Sequence, residues 1–294
     1  MTGNEMARGF DHIVHAVHDL DAVAALYAQL GFQVGARNRH ASNWGTQNHI
    51  VQLPGTFIEL LTVADTSGID PHGPHSFSFG AFNRDFLAHG EGLSMLVLEG
   101  RGVPDANEFR AAAVGDFETY DFEREGKRPD GTAVKVAFSL AFARDPKAPD
   151  VGFFTCLHRH PENFWNPAFQ VHPNTASGVT AVVLVAENPA DHHIFLETFS
   201  GVRDLHATSS GISLKTPRGT IEMMNPSAYA DHFDVQPPNT AAGARLAAVR
   251  FSVRDLAAVE TISKKAAIRY TKHMDRLIVG PDVAMGASLI FGLD

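Results

Sequence analysis

The sequence predicts an α+β fold of four βαβββ modules, paired into two half-open barrel-like domains. Three observations lead there. A strand-like segment, a helical one and three more strand-like segments follow one another over residues 9–63. The same order returns near residue 179 and again near residue 246. Two distant stretches also match: "LPGTFIELL" and "TPRGTIEMM" each carry Gly-Thr, one or two apolar residues, a glutamate (Glu59, Glu222) and two more apolar residues. Internal repetition of this kind takes precedence over any single motif. One such unit leaves a sheet face open, and two side by side close a cup.

Each element has its own signals. "GFDHIVHAV" is short and β-branched, as a strand should be. In it His12, Val14, Ala16 and His18 are expected on one face, and Asp11, Ile13, His15 and Val17 on the other. "DLDAVAALYAQLGF" reads as a helix capped by Asp19, with Leu20, Val23, Ala24, Tyr27 and Leu30 as its apolar stripe and Gly31 closing it. "FQVGAR", "NHIVQL" and "TFIELLTV" complete the first unit as strands. Residues 64–90 are expected to form a loop and a short helix.

A diverged unit follows: strand "GLSMLVLEG", helix "PDANEFRAAAVGDF", and last strands "AVKVAFSLAFA" and "VGFFTCLH". The third opens with "GVTAVVLVA" and a helix "ENPADHHIFLETFSG", with Asn188 as cap, Pro189 in the first helical position and Gly201 closing it. The fourth has "LAAVRFSV", a helix capped by Asp255, and "MGASLIFGL" at the end. The polar, turn-rich joint at 170–178 divides the chain into residues 1–172 and 173–294. A length of 294 residues fits two domains.

Composition narrows the function. Net charge is −9 with scattered Lys and Arg, which disfavours nucleic-acid and anionic-membrane partners. No run is apolar and long enough to span a bilayer. "MTGNEMARGF" lacks an apolar signal core. A single cysteine, Cys156, excludes an internal disulfide and fits a reducing cytoplasm. No GxSxG, phosphate loop or GxGxxG after a strand is present. Histidine is in excess, with 16 residues, so metal or acid–base chemistry is worth tracing.

The segments "DHIVHAVHDLDAVAALYAQLGF", "GTFIELL", "GTIEMM" and the repeat order resemble the vicinal oxygen chelate superfamily, the glyoxalase, bleomycin-resistance and extradiol-dioxygenase group. "HASNWGTQNHIVQLPGTFIELL" is most similar to its glyoxalase-like domain family. The resemblance implies metal ligands at the middle of first strands and near the end of last strands. His12 and Glu59 match those positions in unit one. In unit two the first-strand match falls on Ser94 or Met95, and the last-strand match on Cys156, with His158 two residues on. The third and fourth units offer Thr180 or Ala181, Ala248 and Glu222. The implied metal site is therefore His12, Glu59 and His158 in the N-terminal cup, a set that suits Fe, Mn, Ni or Zn. The C-terminal cup is expected to have lost its ligands.

A carboxylate in the apolar run "TFIELL" is costly unless paired or metal-bound; an exposed edge position is the alternative. "CLHRHPENFWNPAFQVH" gathers polar groups and rings in a Pro-broken segment. Phe164 and Trp165 there could wall a ligand pocket or simply bury between the cups. His160 or Glu162 could move a proton. His40, Trp44 and Asn48 could reach the cup mouth, or Gly45-Thr46 could be only a turn. His15 and His18 are expected to be structural or on the surface, His192 and His193 to lie on a solvated helix face, and Cys156 to be a small buried hydrophobe.

The expected function is a divalent-metal enzyme acting on a small organic substrate through adjacent oxygens, with isomerase, lyase and dioxygenase chemistry all open. A metal-free binding or sequestering protein of the same fold is the alternative, and a scaffold dimerising through sheet edges a third. A homodimer is compatible with each.

Overall fold

The computed structural model describes residues 7–127 and 131–293. The first module runs β1 (Phe10–Ala16), α1 (Leu20–Gln29), β2 (Asn38–Arg39), β3 (Thr46–Leu53) and β4 (Thr56–Val63), followed by an additional helix α2 (Phe79–Leu87). The second runs β5 (Gly92–Glu99), α3 (Val103–Ala111), β6 (Tyr120–Lys127), β7 (Ala133–Ala143) and β8 (Gly152–His158). The third has β9 (Ala176–Val185), α4 (His193–Ser200), β10 (Leu205–Thr208), β11 (Gly211–Lys215) and β12 (Thr220–Met224), then an additional helix α5 (Pro226–Phe233). The fourth has β13 (Arg245–Val253), α6 (Leu256–Lys265), β14 (Thr271–His273), β15 (Arg276–Val279) and β16 (Ser288–Leu293).

The fold is α+β, and the modules pair into two eight-stranded sheets. Their strand orders are β2-β3-β4-β1-β5-β8-β7-β6 and β10-β11-β12-β9-β13-β16-β15-β14, one plan used twice. At each centre the two opening strands lie antiparallel. Each is flanked by its own module's last strand in parallel. The helix-bearing faces of both sheets share one core. There Phe32 packs on Phe251 at 5.1 Å and Phe153 on Phe195 at 4.7 Å. Each fully buried ring of this kind contributes about 1.5–3 kcal/mol. The opposite faces carry separate clusters, so the cups lie on the sides away from the joint.

Local signals explain most of this. The Asp19 side chain caps α1 by accepting from the Ala22 N–H at 2.9 Å, and Asp255 caps α6 in the same way. Several expectations are corrected. "FQVGAR" forms no strand; Gly35 donates its N–H to Ile50 O at 2.9 Å and only Asn38–Arg39 pair with β3. The chain after Asn188 first makes a 3-10 turn, Pro189–His192, and Asn188 gives no side-chain cap. His192 is not on a solvated face. It is buried, with Nδ1 2.6 Å from Asp145 Oδ2, tying the start of α4 to the first sheet's side. His15 is also buried in the joint, between the Tyr27 hydroxyl at 3.2 Å and Met285 O at 3.1 Å. Burial pushes its pKa down to about 4. Among the described residues no helix is long and apolar enough to cross a membrane.

Candidate active site in the first cup

The site begins with an irregularity in β1. Phe10 pairs with Leu98 and His12 with Val97, so Asp11 is an extra residue in the ladder, a β-bulge. Regular alternation placed Asp11 on the face opposite His12, and the structure corrects that. The bulge lets Phe10 and Ile13 enter the shared core while Asp11 and His12 sit side by side in the cup. His12 Nδ1 donates to Asp11 Oδ1 at 2.5 Å. The His12 ring stacks on Phe57 at 4.3 Å, with Phe154 edge-on at 5.5 Å. Burial by itself would raise the Asp11 carboxyl, but His158 and His12 beside it outweigh burial and hold it at about 2.

The same bulge opens every module. The extra residues are Ser94 in β5, Thr180 in β9 and Ala247 in β13. The residues after them, Met95, Ala181 and Ala248, therefore occupy the position of His12. Register also re-aligns the last strands. Val14 faces Glu59 in β4 and Val97 faces Phe154 in β8, so Phe154 holds the place of Glu59. Cys156, which the sequence set opposite Glu59, lies two residues further along.

Glu59 is buried rather than on an exposed edge. Asn48 Nδ2 donates to its Oε1 at 2.5 Å and to His40 Nε2 at 3.1 Å. His40 must then carry its proton on Nδ1, where it donates to Thr46 Oγ1 at 2.7 Å. Burial lowers the His40 pKa, consistent with this neutral tautomer, so its 3.7 Å approach to Glu59 is not a charged pair. The remaining oxygen, Glu59 Oε2, faces His12 Nε2 at 3.7 Å. Trp44 is held by Gly45, whose φ is 64° and whose missing side chain would strike Asp65 O at 1.9 Å. Gly45-Thr46 is thus a turn that also sets the position of a pocket ring.

Around these groups lies a narrow cavity of about 60 Å³. Its walls include Ile50, Phe57, Phe79, Phe122, Phe138, Leu140, Phe154 and Phe164. Of the expected site residues, His12, His40, Trp44, Asn48, Glu59 and Phe164 line it, together with Arg124 and Cys156. His158 stands beside it, boxed by Phe138, Phe164 and Trp165, with Trp165 stacked at 5.5 Å. His160 and Glu162 are not brought to the pocket. They lie on an outer turn, Pro161–Asn163, with side chains 43% and 64% exposed. Sequence reasoning missed Asp11 and Arg124. Alternation hid the first; the second had a signal in "YDFEREG", where every other residue is apolar or Arg.

The expected metal ligands do not form one donor set. His12 and Glu59 face each other, while His158 Nε2 instead meets Asp11 Oδ2 at 2.9 Å. Among the described residues, the three donors within 4.8 Å of one another are Asp11, Cys156 and His158. This set fits a divalent ion. His158 Nδ1 is buried without a hydrogen bond, while Nε2 has Asp11 as its neighbour. Burial, then Asp11 and Glu59 nearby, push the Cys156 thiol well up, so a cation is what would draw it into the thiolate form.

A family model described as a glyoxalase-like domain matches residues 10–199. None of the curated proteins compared matches the sequence. Among solved structures, a hypothetical protein from Staphylococcus aureus superposes with a TM-score of 0.66 at 12% identity, covering 98% of this chain and 100% of that one. A variant of 4-hydroxymandelate synthase from Streptomyces coelicolor gives 0.58 at 9% identity, covering 98% and 94%. At such identities the likeness concerns the fold.

Proposed function

Because the chain belongs to the glyoxalase-like domain family, we propose that it is an enzyme of the isomerase type that moves a proton on a small organic substrate held in the first cup. The Asp11–His12–Glu59 arrangement carries this reading. Asp11 fixes the His12 proton on Nδ1 and leaves Nε2 as a base, 3.7 Å from Glu59 Oε2. Two proton-carrying groups this close, in a pocket of aromatic walls, suit a C–H bond acidified by a neighbouring carbonyl. His12 Nε2 takes the proton from carbon and passes it across that gap to Glu59, which returns it to the same or the adjacent carbon. Nothing is oxidised or reduced. Asn48 holds Glu59 in place for the exchange. Positioned acid–base groups of this kind supply on the order of 10²–10⁴ in rate.

His12 and Glu59 are then proton carriers rather than ligands. A divalent ion, when bound by Asp11, Cys156 and His158, supplies positive charge that favours the enolate oxygen.

The test follows the proton. Small 2-oxo acids and 2-hydroxy carbonyl compounds are incubated in D₂O with the purified protein, as isolated and after soaking with Mn, Fe, Ni or Zn. NMR should show loss of one C–H signal in at least one compound, slowed on the order of 10²–10⁴ in His12→Asn. Binding without exchange in every metal form would instead support the metal-free binding protein.

A further inference from the structure

β6 is the outer strand of the first sheet, and its residues alternate cleanly. Asp121, Glu123 and Glu125 are exposed, while Phe122 and Arg124 turn into the cup. The far edge of the same sheet comes round to meet it. Trp44 packs on Tyr120 at 5.2 Å and on Phe122 at 5.0 Å, closing the cup along a seam. Arg124 stands at that seam and lines both this pocket and a second one beside it. Among the described residues its guanidinium has no hydrogen bond or ion pair. Arg250 in the second cup is different: it meets Glu222 Oε1 at 2.6 Å.

A half-buried cation without a partner is costly unless something completes it. Burial lowers the Arg124 pKa, and Glu59 only partly offsets that. A guanidinium presents a planar fork matched to a carboxylate. The pocket also limits the charge it can take. Glu59 lines the same pocket, so a second negative charge on the ligand would be repelled, whereas one carboxylate matches one guanidinium. Apart from His12, His40, Asn48 and Cys156, the remaining walls are aromatic rings and aliphatic side chains.

We infer that Arg124 anchors the carboxylate of the substrate, which is a small monoanionic acid with an aromatic or bulky apolar body reaching toward His12 and Glu59. The inference rests on the reading of the first cup as the reaction site. Arg124 would then decide which acids are accepted, without moving a proton itself.

The experiment is equilibrium binding, read by quenching of Trp44 emission. Benzoate, phenylacetate and 3-phenylpropionate are compared with their primary amides. At least one acid should bind about tenfold or more tighter than its amide, one tenfold step being about 1.4 kcal/mol. Arg124→Gln should abolish that preference, and Arg124→Lys should restore part of it, with the melting temperature of each variant recorded as a control for folding. In His12→Asn the preference should persist, so failure of the anchor and failure of the proton-transfer reading are told apart. Equal binding of acid and amide, an unchanged preference in Arg124→Gln, loss of the preference in His12→Asn, or no binding of any probe would each overturn the assignment.

Discussion

In the first cup the bulge residue and its neighbour are Asp11 and His12; in the second they are Thr180 and Ala181. The glutamate survives in both. Glu59 lies opposite Val14, and Glu222 lies opposite Val183, at the same register. What surrounds it differs. Glu59 is oriented by Asn48 and faces His12 at 3.7 Å, whereas Glu222 is tied to Arg250. The second cup is also filled: α5 inserts Tyr229 and Phe233 into its apolar cluster, and the Tyr229 hydroxyl donates to Ser288 Oγ at 2.9 Å. In the first cup α2 packs along one side and leaves a pocket. The backbone plan therefore does not determine the chemistry. The bulge supplies a place for two adjacent side chains to face one cavity, and only the first module puts an acid–histidine pair there.

The comparison can be broken at the bulge itself. Asp11→Asn removes the carboxylate that fixes the His12 tautomer, and turnover should fall on the order of 10²–10⁴. Thr180→Asn at the matching position should leave turnover unchanged. Steady-state rates of the two variants settle this pair.

It can be sharpened next at the filled cup. Tyr229→Ala hollows the second cup and should cost about 3–5 kcal/mol, seen as an earlier urea midpoint. Folded protein below that midpoint should retain its proton-exchange rate, since the first cup is untouched.

The joint between the halves should respond to acid. The folded-state pKa of His15, about 4, lies below its ordinary 6.5. The unfolded chain therefore binds that proton more readily. The stability attached to His15 is complete above pH 6.5 and is lost as pH falls toward 4, by about 3 kcal/mol in all. Urea titrations across this window should show the loss, and His15→Leu should flatten it. An equal slope in both proteins would assign the acid sensitivity elsewhere. Asp11 acts lower: its contribution is present above pH 3.8 and fades as pH drops through about 2.

The smallest effect is expected at the second-cup bulge. Thr180 is exposed and donates to Arg250 O at 3.3 Å, so Thr180→Ala should shift stability by no more than about 0.5 kcal/mol.

Much of this was legible in the sequence because hydrophobic period and capping signals are local. β1, α1, β3, β4, α6 and the repeat itself could be read from them. His12 and Glu59 stand out as polar residues in apolar strands, Trp44 and His40 by their place before one, and Asn48 by its place at the start of one. The bulge is not legible, since strict alternation is the only phase a strand pattern offers, and alternation puts Asp11 on the wrong face. The place of Cys156 is hidden for a related reason: parallel pairing between β5 and β8 fixes its register, and no local signal reports it. The helix α5 hid in "NPSAYADHF", although Asn225 followed by Pro226 is a start signal, and Asn225 does cap it by accepting from Ala228 N at 2.8 Å.

The most direct measurement is the proton-exchange rate of Glu59→Gln beside Glu222→Gln, both folded and both assayed with the same substrate. The two glutamates hold the same register in the two sheets, so the pair isolates what surrounds them. The account predicts that Glu59→Gln loses on the order of 10²–10⁴ in rate, while Glu222→Gln exchanges as the unaltered protein does. Equal losses in both, or full activity in Glu59→Gln, would contradict it.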